Sequence, residues 1–514
     1  MKNNNIQEQV NIEKQSNRRI KLGVFMSYIT IAVNIITGIV YTPWILKQIG
    51  DSNYGLYTLA SSFISMFMLD FGMSAAVSRF VSRYIALDDQ DTLNNFLGIV
   101  YKLYGLISAA ISVILIVVFF NLNTIYDNMS VAELATFKIV FIITAFSTVF
   151  CFPFVTLNGI MRSYEYFFEM KLCDLLNKIC TVVLTITALI AGMGIYALVA
   201  VQAICNITFV LVKLIFIKRK TSIKINWKVR DKELTKGIFG FSIWSAISGV
   251  AQQLTLNIMP SILAALVSAS QVAHFSLART IEGYVWTISE AINGLFLPKV
   301  TRRIVKSDTA EDVLPLMIKV GRIILSITGL VICGIILVGQ DFVKVWLGSN
   351  GYNDVYIMMI LLTVYSIISS PQQIANTSMV VLNKVRYQAT VAIVCAILNI
   401  AIAPVFIKIY GAVGAAISVG VTYIIRVIIS NVIYYKVLKI NVFKFFWECH
   451  IKMLPGFLVS IVAGVIAGFV VNFDSNILNL FIKGITYVFA YIISMWFVGW
   501  NNEEKNLIKS VIKR

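Results

Sequence analysis

The chain has 514 residues, 58% of them hydrophobic and 13% charged, with a formal charge of +18. That much apolar surface exceeds what one water-soluble core can bury, so lipid has to be the main solvent. Nucleic acid is excluded as the reason for the positive charge, because Lys and Arg alternate from loop to loop between apolar blocks of about 20 to 27 residues, the length that crosses about 30 Å of hydrocarbon.

In chain order, residues 1–19 form a polar, Asn-rich tail, and no small-residue cleavage site follows the first apolar stretch, which is therefore expected to stay as an uncleaved first span. Spans are predicted near 22–46, 54–79, 96–121, 137–158, 172–192 and 194–216, a six-helix lobe over residues 20–217. A basic linker follows at 218–236. The second lobe, 237–437, has spans near 237–263, 270–297, 314–338, 353–378, 387–407 and 411–435. A last pair near 452–473 and 477–499 occupies residues 438–500, ahead of a tail at 501–514. The fold class is thus all-α and polytopic, with about fourteen transmembrane helices arranged as two pseudo-symmetric six-helix lobes plus two C-terminal helices. The tail with Lys14, Arg18, Arg19 and Lys21 and every second connection after it are basic, which puts both ends in the cytoplasm.

The lobes repeat each other. At a shift of about 217 residues Pro43 falls on Pro260 and Gly194 on Gly411, and one residue more brings Pro153 onto Pro371. Two copies of an even number of spans enter the membrane in the same direction, which predicts an axis along the membrane normal, as in transporters.

Polar residues inside the spans are the functional candidates. On the first span Ser27, Thr30, Asn34, Thr37 and Tyr41 share one helical face, and on the seventh Ser245, Ser248, Gln252 and Thr255 repeat that spacing 218 positions later. Such stripes serve either helix packing or a water-filled cavity between the lobes, and the symmetry favours the cavity. The eighth span carries Arg279, Glu282, Trp286, Glu290 and Asn293 on one stripe. An Arg or acid at mid-membrane costs roughly 2.5–3.5 kcal/mol, so this face has to meet a partner, water or a substrate. Arg279 and Glu282, three apart, either neutralise each other or line a transport path. Asp70 in the second span, above Arg79 and Arg83, is either a packing residue or a further site. Lys102, Lys178, Lys213 and Arg322 lie toward span ends and are expected to snorkel to the interface. His274 is expected at the outer interface. The seven cysteines show no CxxC and read as small packing residues.

No phosphate loop, HExxH, GxSxG or Cys/His metal spacing occurs, so neither an enzyme nor a metal site is expected. A coupled H⁺ or Na⁺ would fall on Asp70, Glu282 or Glu290. No other cofactor is implied.

The stretches "DSNYGLYTLASSFISMFMLDFGMSAAVSRFVSR" at 51–83, "VAHFSLARTIEGY" at 272–284 and "VWLGSNGYNDVYIMMILL" at 345–362 resemble the multidrug/oligosaccharidyl-lipid/polysaccharide (MOP) exporter superfamily, and within it the polysaccharide-repeat flippases of the Wzx type. The resemblance covers nearly the whole chain. It implies a flippase of the bacterial cytoplasmic membrane that carries an undecaprenyl-pyrophosphate-linked oligosaccharide repeat unit outward by alternating access. By position, Arg279 matches a cation that related flippases use for the pyrophosphate. The expected partners are that glycan, the bilayer and other glycan-assembly membrane proteins, with no nucleic acid. Alternatives are a peptidoglycan-precursor (lipid II) flippase, a drug/cation antiporter of the same superfamily, and a scaffold with a closed polar stripe.

Overall fold

A computed structural model describes residues 2–67, 73–229, 232–307, 310–348, 350–470 and 475–512. Its helices are α1 (Lys2–Ile49), α2 (Asp51–Ser65), α3 (Met73–Ala86), α4 (Gln90–Ile125), α5 (Val131–Cys151), α6 (Leu157–Ser163), α7 (Phe167–Ile190), α8 (Gly194–Lys220), α9 (Lys232–Leu266) and α10 (Ala269–Ser307). There follow α11 (Leu314–Leu347), α12 (Asn353–Thr363), α13 (Ser366–Ser369), α14 (Gln373–Val381), α15 (Val385–Lys436), α16 (Val442–Phe446), α17 (Leu454–Val470), α18 (Asn476–Ser494) and α19 (Asn502–Ile512). No strand occurs among the described residues.

Eleven runs among the described residues are long and apolar enough to cross a membrane, so the chain is a multi-pass membrane protein. The difference from fourteen has local causes. The predicted second span, 54–79, includes residues 68–72, which lie outside the described set. The eighth falls in α10, whose Arg279, Glu282 and Glu290 lower its hydropathy. The eleventh and twelfth are joined in α15, whose 52 residues would extend about 78 Å if straight, more than twice a bilayer's apolar thickness. Gly411, with φ 58° and ψ −134°, breaks α15 at the predicted boundary.

The repeat is written into the backbone. Pro153 opens a 3-10 turn at Phe152–Thr156, and Pro371 sits in one at Ser370–Gln372. Pro43 and Pro260 lie inside α1 and α9. Gly194 at φ 66° answers Gly411 at φ 58°, and 218 positions separate the positive-φ residues Glu165 and Asn383. Equivalent sequence positions thus take equivalent special conformations.

By contacts the chain divides into Met1–Ala273 and His274–Arg514. In the first unit α7 packs on α1 and α8, α5 on α2 and α8, and α9 on α2. The repeat assigns α9 to the second lobe, while by contacts it groups with the first unit through α2; at Ala269, where α10 begins, the Gly55 backbone of α2 lies so close to the Ala269 carbonyl that a Cβ would collide with it. The linker is a strap over the start of α4: Lys224 N donates to Asn94 Oδ1 at 2.8 Å, Asn226 N to the Asn94 carbonyl at 3.2 Å, and Lys102 Nζ to the Val229 carbonyl at 2.8 Å.

In the second unit α11 is the central helix. It packs against α12, α17, α18 and the 3-10 turn at Ser370–Gln372, with Val320, Ile324, Phe445 and Tyr491 in the core. The Tyr487 and Tyr491 hydroxyls of α18 donate to the α11 carbonyls of Leu330 at 2.8 Å and Ser326 at 2.7 Å, and Lys483 pairs with Asp341 at 2.9 Å. The C-terminal helices are therefore docked parts of this unit.

Candidate functional site

The charged stripe of α10 forms a cluster with α13 and α15. Arg279 and Glu282 are one helical turn apart and form an ion pair, with side chains 25% and 3% exposed. The Tyr365 hydroxyl, at the start of α13, donates to Glu282 Oε1 at 3.0 Å. Arg279 Nη1 also reaches the Tyr423 hydroxyl of α15 at 3.4 Å, and the rings of Tyr365 and Tyr423 lie 4.1 Å apart between centroids. Glu282 thus anchors Arg279 and a phenol at once. One turn beyond Tyr423 on α15 stands Arg426, half-buried, whose charge reaches Tyr365 and Tyr434. Further along, Asn293 Nδ2 donates to Thr377 Oγ1 at 3.3 Å, so α10 runs alongside the broken helix α13–α14 in the same direction. Buried side-chain atoms of Ser369, Ser370 and Gln373 on that broken helix have no hydrogen-bond partner among the described residues.

Of the other expected site residues, Trp286 is half-buried and Glu290 exposed, with no ion pair among the described residues. Ser27 Oγ and Thr30 Oγ1 donate to their own helix at Gly23 and Met26, 2.9 and 2.8 Å away, which leaves less for a ligand. Asn34 is exposed on α1 and its repeat equivalent Gln252 half-buried on α9, neither with a side-chain bond among the described residues. Asp70 and the side chain of Ser248 lie outside the described residues.

Two residues expected to snorkel, Arg322 and Lys213, are paired with carboxylates instead, and His274, expected at the outer interface, also has one beside it. Arg322 is 4% exposed: Nε and Nη2 hold both carboxylate oxygens of Glu504 at 2.5 and 2.9 Å, and Nη1 and Nη2 reach the carbonyls of Glu448 and Gly499 at 2.7 and 2.8 Å. His274 Nδ1 lies 2.6 Å from Asp354 Oδ2. Lys213 Nζ pairs with Asp174 at 2.7 Å and donates to Asn158 Oδ1 at 3.0 Å. That last pair lines a cavity of about 280 Å³ within the first unit, together with Ser147, Thr148 and Asn206. The sequence reading missed Tyr365, Tyr423, Arg426 and this cavity. An arginine inside the apolar block 411–435 was the available signal for Arg426.

The described residues thus form a helical, multi-pass membrane protein with charged pairs held among the apolar helices of each unit. The family model described as polysaccharide biosynthesis protein matches residues 23–296, and the chain belongs to that family. No curated protein sequence matches it. Among solved structures it is similar to the lipid II flippase MurJ in an inward closed conformation, at TM-score 0.69 and 15% identity over 93% of this chain and 98% of that one. It is also similar to an inward-facing multidrug resistance MATE family transporter of the MOP superfamily, at TM-score 0.62 and 15% identity over 74% and 91%. A MOP superfamily transporter from Pyrococcus furiosus follows, at TM-score 0.58 and 14% identity over 80% and 94%. The fold is that of the MOP transporters.

Proposed function

We propose that this protein is a flippase that moves an undecaprenyl-pyrophosphate-linked oligosaccharide repeat unit from the inner to the outer leaflet of the bacterial cytoplasmic membrane by alternating access. Membership of the polysaccharide biosynthesis protein family carries this reading. The cover of 93% of the chain by a lipid II flippase, against 74–84% by the MATE transporters, supports a lipid-linked substrate over a small drug. In this reading the phosphates go to the cationic cluster around Arg279, and Trp286 offers sugars a stacking surface. The lobes are residues 20–217 and 237–437, and both ends face the cytoplasm.

A pyrophosphate diester carries about two negative charges, and an inside-negative potential drives their outward movement by roughly 2.3 kcal/mol per charge per 100 mV. The field alone favours export. A coupled H⁺ or Na⁺, if used, is assigned to Asp70, Glu282 or Glu290.

The likeness to MurJ favours a second reading, a lipid II flippase. A strain lacking the gene separates the two and also tests the antiporter. Loss of surface glycan with accumulation of its lipid-linked precursor is expected, with drug susceptibility unchanged. Rescue of cells depleted of their lipid II flippase would move the substrate to the peptidoglycan precursor, and increased drug susceptibility with intact glycan would sink the flippase reading.

A further inference from the structure

We propose that Arg426, rather than Arg279, is the cation that takes the substrate's phosphate in the second unit; this deepens the flippase reading and rests on it. Within the cluster Arg279 is already committed to Glu282, and Glu282 is held a second time by the Tyr365 hydroxyl. That triad is internally neutral. Arg426 adds a positive charge beside it and has no carboxylate or hydrogen-bond acceptor among the described residues.

Snorkelling does not account for it. The lipid face of this half of α15 is marked by Val421, Ile424, Ile428 and Val432, all exposed, whereas Thr422, Tyr423 and Tyr434 are buried. Arg426 is two residues from both Ile424 and Ile428, about 200° around the helix, and so stands on the inward face with Tyr423. It is ten residues before Lys436, the basic end of α15, or about 15 Å along the axis, close to the bilayer midplane. An arginine side chain does not span that distance to water.

A cation at this depth meets water, a backbone carbonyl or an anion, and the protein's own carboxylate is spent on Arg279, which leaves Arg426 free to take an anionic ligand. A phosphate oxygen is the fitting partner: the guanidinium fork of Arg426 supplies charge-assisted donors, and the Tyr423 hydroxyl one turn away adds a neutral one. Glu282 then acts as a positioning residue. It keeps Arg279 from competing for the phosphate and fixes Tyr365 against Tyr423.

The test uses the full chain in phosphatidylcholine nanodiscs. Two probes, inorganic pyrophosphate and undecaprenyl pyrophosphate, are titrated against the wild type, Arg426→Gln, Arg426→Lys and Arg279→Gln, with the melting temperature measured for each. Arg426→Gln is expected to weaken binding about tenfold or more, while Arg426→Lys keeps part of it. Arg279→Gln is expected to change binding less than Arg426→Gln does. Wild-type affinity in a folded Arg426→Gln, or a larger loss in Arg279→Gln, overturns the assignment. Loss of binding in Arg426→Gln through misfolding would show as a lowered melting temperature, and Arg426→Lys, which keeps the charge, then decides: binding retained supports the site and binding lost rejects it. Binding that depends on Arg426 in a protein whose gene does not restore glycan in the deletion strain would leave this site standing and reject the flippase reading.

Discussion

Glu282 is 3% exposed and serves two partners, the guanidinium of Arg279 and the hydroxyl of Tyr365. Truncating it strands a cation and a phenol in an apolar setting. Glu282→Ala is expected to cost about 2–3 kcal/mol in thermal unfolding of the nanodisc-embedded protein, and Glu282→Ala with Arg279→Ala together less than the sum of the two single changes. Additive losses would show that the two side chains do not form a unit. The i, i+3 spacing made this pair readable in the sequence, because on a helix that spacing fixes the neighbours without reference to the rest of the fold. Tyr365 and Tyr423 were not readable. They reach the pair from other helices, and a tyrosine in an apolar block looks the same in sequence whether it faces lipid or a charge. Arg322 and Lys213 were misread for the same reason: Glu504 and Asp174 lie 182 and 39 residues away, and only tertiary packing brings them in.

The helices themselves followed from local rules. Blocks of apolar residues give spans, and the Pro and Gly positions at which the sequence repeats become 3-10 turns and left-handed residues in both copies. Gly411 is the sharpest case. At φ 58° and ψ −134° it occupies a region that side chains exclude, so Gly411→Ala is expected to cost about 1–3 kcal/mol. The check is the unfolding transition of the variant beside that of Ala412→Gly, which alters a neighbouring position inside the helix; equal losses would mean that the kink does not depend on glycine. What the repeat did not convey is which neighbour each copy packs against. α9, which the repeat assigns to the second lobe, touches α2 of the first, and Gly55 of α2 lets the Ala269 carbonyl at the start of α10 come close, contacts set by surface shape that hydropathy does not encode.

For the whole molecule, the alternation of basic loops predicts the sidedness. With a membrane-impermeant maleimide, Asp127→Cys, in an outer connection, is expected to react in intact cells, and Lys228→Cys, in the linker strap, only after permeabilisation. The reverse pattern would invert the topology. Composition carries the multi-pass character, while the number of spans depends on local breaks such as that at Gly411 in α15.

The clamp between Arg322 and Glu504 has a consequence in time. Arg322 belongs to the central helix of its unit, yet the carboxylate that neutralises it is synthesised 182 positions later. The pair can therefore close only after the C-terminal helices have been made. A chain interrupted before residue 504 would lack the carboxylate that neutralises this guanidinium.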